Sequence, residues 1–202
     1  MPKAKKTTTK KKKLKYDRDY RFEERAERVI DLLRKTNVCT LDNMMKYSTH
    51  MNKKISKSRL DALLKLKYIK QVKVINKKTK EVHIAYQLGE RGRTYCKDFL
   101  KSSVYASRST FHDLHQSNYL FKNFEISEIE TYKHEKELTP PTGVDIHISI
   151  QQNISRPDGE ITLNSGETVF VETITKDYTQ KLIKAKVRYA EYHSQRCLYN
   201  IL

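Results

Sequence analysis

The chain has 202 residues, 37% of them hydrophobic and 32% charged, which is enough to build one large or two small cores. No apolar run approaches the roughly 20 residues that cross a membrane, and the lysine-rich start lacks the apolar segment of a secretory signal. Three widely separated cysteines, Cys39, Cys96 and Cys197, are not spaced as metal ligands and favour free thiols in a reducing, cytoplasmic setting.

The net charge of +17 is concentrated in the first half of the chain. Residues 1–15 contain eight lysines and no acid, and residues 16–100 contain 21 basic and 11 acidic residues. Residues 101–202 are near neutral, with 12 basic and 13 acidic residues. A basic half joined to a neutral half is typical of a polyanion-binding protein, so we predict double-stranded DNA as the partner. The tail of residues 1–15 is predicted to be disordered.

Residues 16–100 read as three helices followed by a hairpin. Apolar residues at spacings of three and four predict a helix over 17–35, Thr40 is a predicted N-cap of a short second helix, and Ser56 opens a third. The buried side of that third helix is predicted to be Leu60, Leu63, Leu64 and Leu66. Two strands, 68–75 and 82–88, flank a polar turn, and residues 93–100 are predicted to be helical again. This order predicts a winged helix-turn-helix domain over 16–100.

Basic residues occupy the two places where a winged helix meets DNA. The third helix is the expected recognition helix, whose N-terminal residues reach base edges, and the hairpin tip is expected to touch the DNA backbone or minor groove. The predicted DNA-binding residues are Lys53, Lys54, Lys57, Arg59, Lys77, Lys78 and Lys80.

The second half, residues 101–202, mixes helices and strands. Ser109 is a predicted cap of a helix through Phe121, residues 125–138 give no clear element, and strict alternation predicts a strand over 144–150. A hairpin with an Asn164-Ser165-Gly166 turn follows, and then a helix over 178–193. The predicted fold class of the whole chain is therefore α/β in the broad α+β sense.

Pro157-Asp158, a strand, a turn, a strand ending in Glu172 and a helix together resemble the PD-(D/E)XK nuclease core. The resemblance implies that 101–202 is a nuclease-like α/β domain in which Asp158 and Glu172 would hold Mg²⁺ if the site is active. The lysine expected two residues after the glutamate is replaced by Ile174, although Lys181 or Lys184 of the following helix could substitute for it. The replacement favours a domain without catalysis, and a Mg²⁺-dependent DNA endonuclease stays the alternative.

Both halves together resemble the replication-relaxation family of plasmids and mobile elements. The segments that carry this resemblance are Tyr86–Gly92, Phe111–Leu114, Pro157–Gly159, Phe170–Glu172 and Lys186–Tyr192. It implies a DNA-binding accessory protein of replication or relaxosome assembly, with a relaxase or replication initiator as a further partner. Because winged helices often read paired half-sites, a homodimer is also expected. A transcriptional regulator is the further alternative, and no cofactor is expected unless the nuclease-like site is active.

His112, next to Asp113 and near His115, has two interpretations. It could be a metal ligand or an acid-base group, but a histidine at the start of a helix favours a capping or packing role. The sequence has no Cys/His spacing typical of zinc and no phosphate-binding glycine loop.

Overall fold

The computed structural model describes residues 24–48, 55–105, 109–138, 154–193 and 195–202. Several predicted features lie outside these residues, namely the lysine tail, the first turns of the helix predicted over 17–35, Lys53 and Lys54, and the strand predicted over 144–150.

The described residues form a mixed α+β fold with six α-helices and two sheets, which confirms the predicted class at this coarse level. The helices are α1 (Glu24–Thr36), α2 (Leu41–Tyr47), α3 (Lys57–Lys65), α4 (Glu90–Asp98), α5 (Thr110–Asn123) and α6 (Gln180–Tyr192). The strands are β1 (Ile69–Ile75), β2 (Val82–Leu88), β3 (Ile129–His134), β4 (Gly159–Leu163), β5 (Thr168–Ile174) and β6 (Arg196–Ile201). β1 and β2 pair as an antiparallel hairpin, and the second sheet has the order β3-β4-β5-β6.

Side-chain caps fix the starts of three helices where the sequence predicts them. The hydroxyls of Thr40, Ser56 and Ser109 each accept a hydrogen bond from the backbone N–H three residues later, which satisfies a donor that the first helical turn leaves unpaired. Leu66, predicted to be buried, is instead 42% exposed. The reason is that α3 ends at Lys65, so Leu66 is its C-cap and leaves the buried stripe.

The turn from β2 into α4 depends on a close backbone approach. α4 begins at Glu90, three residues before the predicted start. Gly92 lies so close to the segment after α3 that a Cβ there would collide with the carbonyl oxygen of Tyr68. Glycine therefore lets α4 pack against the start of β1.

The second sheet lies between two helices. Val169 and Val171 of β5 face Leu120 of α5, whereas Phe170 faces Tyr189 of α6. Strands β3, β4 and β5 are antiparallel, and β6 joins β5 in parallel after the crossover through α6. The hairpin predicted at Asn164–Gly166 is confirmed, with Gly166 at φ 84°. Neither β3 nor β6 was predicted.

Helix α5 also packs on the first half of the chain. Its Leu114 and Phe111 belong to a cluster with Val38, Val74 and Ala85, which covers the inner face of the β1–β2 hairpin. A predicted boundary near residue 100 therefore precedes a helix that contributes to the hydrophobic clusters on both sides of it.

All three cysteines are free in the described residues, and Cys39 and Cys96 are buried. Burial raises the pKa of the Cys39 thiol well above its ordinary value. No helix in the described part of the chain has the length and apolar character needed to cross a membrane.

Candidate nucleic-acid interface and buried polar cluster

The first turn of α3 presents basic side chains to solvent. Lys57 and Arg59 are exposed, and this turn contains no acidic residue. The N-terminal end of a helix is itself electropositive, so cations there are unfavourable unless an anion approaches. Lys53 and Lys54, predicted for the same end of the helix, lie outside the described residues.

The turn of the β1–β2 hairpin is held by its own hydrogen bonds. The side-chain oxygen of Asn76 accepts from the backbone N–H groups of Lys78, at 2.9 Å, and Thr79, at 3.3 Å. Lys77, Lys78 and Lys80 are all exposed on this turn. Three positive charges are thus displayed on a turn of defined shape. We call Lys57, Arg59, Lys77, Lys78 and Lys80 the basic surface.

The hairpin adds two basic residues and an apolar face. Lys70 and Lys73 of β1 are exposed and were not among the predicted contacts. The sequence-based prediction considered only the hairpin tip. Ile75 and Val82 pair across the strands and are 50% and 51% exposed, which leaves apolar surface directly behind the basic turn.

Asp158 and Glu172 lie side by side at one end of the second sheet. Asp158 immediately precedes β4 and Glu172 is in β5, and the two strands are paired. The backbone N–H of Asp158 donates to Glu172 Oε2 at 2.9 Å, and that of Thr173 donates to Asp158 Oδ2 at 2.8 Å. Both carboxyl groups are buried, with 5% and 1% of the residue exposed. The predicted juxtaposition of the two carboxylates is therefore present.

Lys186 is the lysine that reaches this pair. Its Nζ lies 3.2 Å from Glu172 Oε1 and donates to the carbonyl of Arg156 at 2.5 Å. Lys181 and Lys184, the two predicted substitutes, are exposed on α6. The physical reason is helical periodicity, because Lys186 lies on the stripe that buries Tyr189 and Ala190 against the sheet. A lysine within an apolar stripe was the signal that could have identified it.

Tyr178 adds a second donor to the same carboxylate. Its hydroxyl donates to Glu172 Oε1 at 2.5 Å. Burial and the neighbouring Asp158 carboxylate raise the pKa of Glu172, and Lys186 and Tyr178 oppose that rise.

His112 approaches Asp158 from the opposite face of the sheet. Its Nε2 lies 3.1 Å from Asp158 Oδ2 and also 3.1 Å from the carbonyl oxygen of Thr173, and its Nδ1 lies 3.4 Å from Asp113 Oδ1. Burial lowers the pKa of His112, but the hydrogen bonds and charges of Asp113 and Asp158 outweigh it and raise the pKa to about 10. The sequence favoured capping or packing for this residue and did not identify its contact with Asp158.

Asp113 continues the network toward the first half of the chain. Its Oδ2 accepts from the side-chain amide of Asn37 at 2.6 Å, and the residue is 1% exposed. We call His112, Asp113, Asp158, Glu172, Tyr178 and Lys186 the buried polar cluster.

The buried polar cluster does not fit a divalent metal ion as it is arranged. Both oxygens of Glu172 and one oxygen of Asp158 already accept hydrogen bonds or ion pairs from protein groups. His112 Nε2 lies 3.1 Å from Asp158 Oδ2 and Lys186 Nζ lies 3.2 Å from Glu172 Oε1, so each carboxylate already has a basic side chain beside it. Within the described ranges, no group of three or more His, Cys, Asp or Glu residues is placed to hold a metal. The chemistry that this arrangement supports is internal charge pairing.

The segments that resemble the replication-relaxation family contain five of the six members of the buried polar cluster, namely His112, Asp113, Asp158, Glu172 and Lys186, and Tyr178 lies outside them. The family assignment itself stays a prediction. Comparison of the chain with protein-family models, with curated proteins and with solved structures finds no match.

Proposed function

We propose that this protein binds duplex DNA through the basic surface, with residues 16–100 acting as a winged helix, α3 as its recognition helix and the β1–β2 hairpin as its wing. The observation that carries the proposal is the exposure of basic side chains at both the first turn of α3 and the hairpin tip. A helix N-terminus and a hairpin tip of the same sign are the two elements that such a domain directs at DNA.

The charge of the first half supports a backbone-driven mode of binding. Each lysine or arginine that neutralises a phosphate releases condensed counterions, so affinity falls steeply as salt rises. Lys70 and Lys73 add exposed positive charge on opposite faces of β1, since they are three positions apart on a strand, and residues 1–15 contribute eight further lysines to the sequence. We therefore infer that contacts with DNA phosphates supply most of the affinity, and that α3 sets the position of the protein along the DNA.

The biological setting is proposed from the family resemblance. We infer an accessory protein of a plasmid or mobile element that acts in replication or relaxosome assembly, with a relaxase or replication initiator as its protein partner. A transcriptional regulator would use the same DNA-binding half. A gel-shift screen over the DNA flanking the gene tests sequence preference, and light scattering tests the proposed homodimer. Equal affinity for every fragment would contradict a sequence-specific role.

The direct test of the interface is a pair of charge-matched triple variants. Log Kobs falls as log[salt] rises, with a slope of about −0.9 for each phosphate contact. We therefore expect Lys77→Ala, Lys78→Ala and Lys80→Ala together to make this slope less negative by about 3. The matched control removes three exposed lysines of the second half, Lys176, Lys181 and Lys184. Equal losses in both variants would show that net charge alone, and not the hairpin tip, drives binding.

DNA cleavage is the second candidate, and the contact of Lys186 with Glu172 favours it. We rank it second because protein donors already engage the carboxylate oxygens that a metal would need. Incubation of supercoiled and single-stranded DNA with Mg²⁺ or Mn²⁺ tests it, and we expect no cleavage. Cleavage that disappears in Asp158→Ala with Glu172→Ala would reverse the ranking.

A further inference from the structure

Helices on opposite faces of the second sheet each direct one cation at one of the two carboxylates. α5 packs on the face that carries Val169 and Val171, and its His112 contacts Asp158. α6 packs on the face that carries Phe170, and its Lys186 contacts Glu172. The two carboxylates are themselves linked through backbone donors at the ends of β4 and β5. Three layers are therefore joined at one end by a continuous set of polar contacts.

The same contacts reach the first half of the chain. Asn37, which follows α1, donates to Asp113, and Asp113 contacts the ring of His112. Asn43 of α2 donates to Asn118 of α5 at 2.9 Å. The helix that supplies His112 is thus tied both to the hairpin side of the molecule and to the second sheet.

Because the cluster is buried, its stability depends on whether each carboxylate has a cation or hydrogen-bond donor beside it. Two carboxylates this deeply buried would be very costly without cations or hydrogen-bond donors beside them. Two cations meet two carboxylates of the pair, and a third carboxylate, Asp113, shares the ring of His112 and the amide of Asn37. A metal ion that bound Asp158 Oδ2 or either oxygen of Glu172 would compete with the protein groups that already contact those atoms.

We propose that His112 and Lys186 are permanent internal counter-ions of Asp158 and Glu172, and that the buried polar cluster clamps α5 and α6 onto the second sheet without a metal ion. In this role His112 and Lys186 are positioning residues and not catalytic ones. The proposal does not depend on DNA binding, so it can fail or hold independently of the proposed function.

The first test is the response of the unsubstituted full-length chain to metal ions. A ligand that binds only the folded state raises Tm by mass action. We expect the same Tm in EDTA, in millimolar MgCl2 and in millimolar MnCl2. A rise in Tm that disappears in Asp158→Asn would overturn the proposal. A rise that survives in Asp158→Asn arises from another site and leaves the proposal in place.

The second test compares two histidines of α5. We expect His112→Gln to lower Tm by on the order of 10 °C, because it leaves a buried carboxylate without its cation. The matched control is His115→Gln, one turn further along α5. The ring of His115 packs on Phe111 with their centroids 4.4 Å apart, and this substitution should lower Tm much less. Equal effects of the two substitutions would overturn the proposal.

A double-variant cycle separates charge pairing from simple packing. Asp158→Asn alone leaves the His112 cation without its partner, so the double variant with His112→Gln should be more stable than the sum of the two single losses predicts. Strictly additive losses in Tm would mean that the two side chains do not act as a charge pair, and would overturn the clamp.

Discussion

The hairpin tip and the end of the second sheet use lysine in opposite ways. Lys77, Lys78 and Lys80 are exposed, hydrated and of one sign, so no internal partner is needed and an external polyanion can bind them. Lys186 is 5% exposed and contacts Glu172 and a backbone carbonyl, so its charge is already compensated. The comparison teaches that an exposed cluster of one sign points to a ligand, whereas a buried cluster of both signs points to internal pairing.

The largest expected effect contrasts two lysines of α6. Lys186→Ala should lower the free energy of unfolding by about 3–5 kcal/mol, because it leaves the buried Glu172 carboxylate without its cation. Lys184→Ala, two residues earlier and exposed, should change it by no more than about 0.5 kcal/mol. Urea denaturation of both variants measures the difference. Similar values for the two would remove the distinction between paired and available lysines.

The reverse contrast applies to DNA affinity. Replacing Lys57 and Arg59 with alanine should weaken duplex binding by tenfold or more at low salt, since two phosphate contacts are lost. The free energy of unfolding should stay within about 0.5 kcal/mol, since both side chains are exposed. Fluorescence anisotropy and urea denaturation of one preparation give both quantities. A loss of stability comparable to that of Lys186→Ala would show that these residues are structural.

A third kind of titratable site is a buried histidine that is neutral near pH 7, and acid should reveal its effect on stability. His134 is fully buried beside Tyr105, and burial lowers its pKa from 6.5 to about 4. The charged groups around it are Arg34, Lys35, Lys136 and Glu137. The unfolded chain binds the proton first, so stability falls as pH decreases from about 6.5 toward 4.

The variant His134→Gln isolates the contribution of this histidine to the pH dependence of stability. Wild type should lose more stability than the variant between pH 7.5 and pH 5, when unfolding by urea is measured at both, because carboxylates elsewhere titrate in both proteins alike. Parallel losses would mean that His134 takes up its proton without cost in the folded state.

The smallest expected effect comes from the N-cap of α3, which positions Lys57 and Arg59 of the basic surface. Ser56→Ala removes the N-cap of α3 and should cost about 1 kcal/mol of folding free energy. Because the cap fixes the turn that presents Lys57 and Arg59, DNA affinity should fall slightly with no change in salt slope. A changed slope would mean that the hydroxyl itself approaches a phosphate.

Local signals allowed much of the fold to be predicted. The caps at Thr40 and Ser56, and both antiparallel hairpins, have their determinants within a few residues, so the sequence identifies them. β3 was missed because it is a largely exposed strand whose buried positions are only Tyr132 and His134. β6 was missed because its partner, β5, lies across a helical crossover and no turn marks the pairing.

In the buried polar cluster, too, contacts between residues of one hairpin were predictable and contacts between distant segments were not. Asp158 and Glu172 are brought together by one hairpin, so their pairing could be predicted from adjacent sequence. His112 and Lys186 arrive on separate helices that pack on opposite faces, and nothing near either residue in the sequence specifies that partner. The apolar stripe of α6 could have separated Lys186 from Lys181 and Lys184, but only tertiary packing brings that stripe to Glu172.

Helix α5 has a consequence for how this chain can be divided. Phe111 and Leu114 cover the inner face of the hairpin, although they lie beyond residue 100. A fragment that stops there would keep every residue of the basic surface and lose the cover over Val74 and Ala85, so it should aggregate or unfold. We therefore expect that the two halves do not fold as independent modules, and that an exchange by recombination preserves folding only when α5 accompanies residues 16–100.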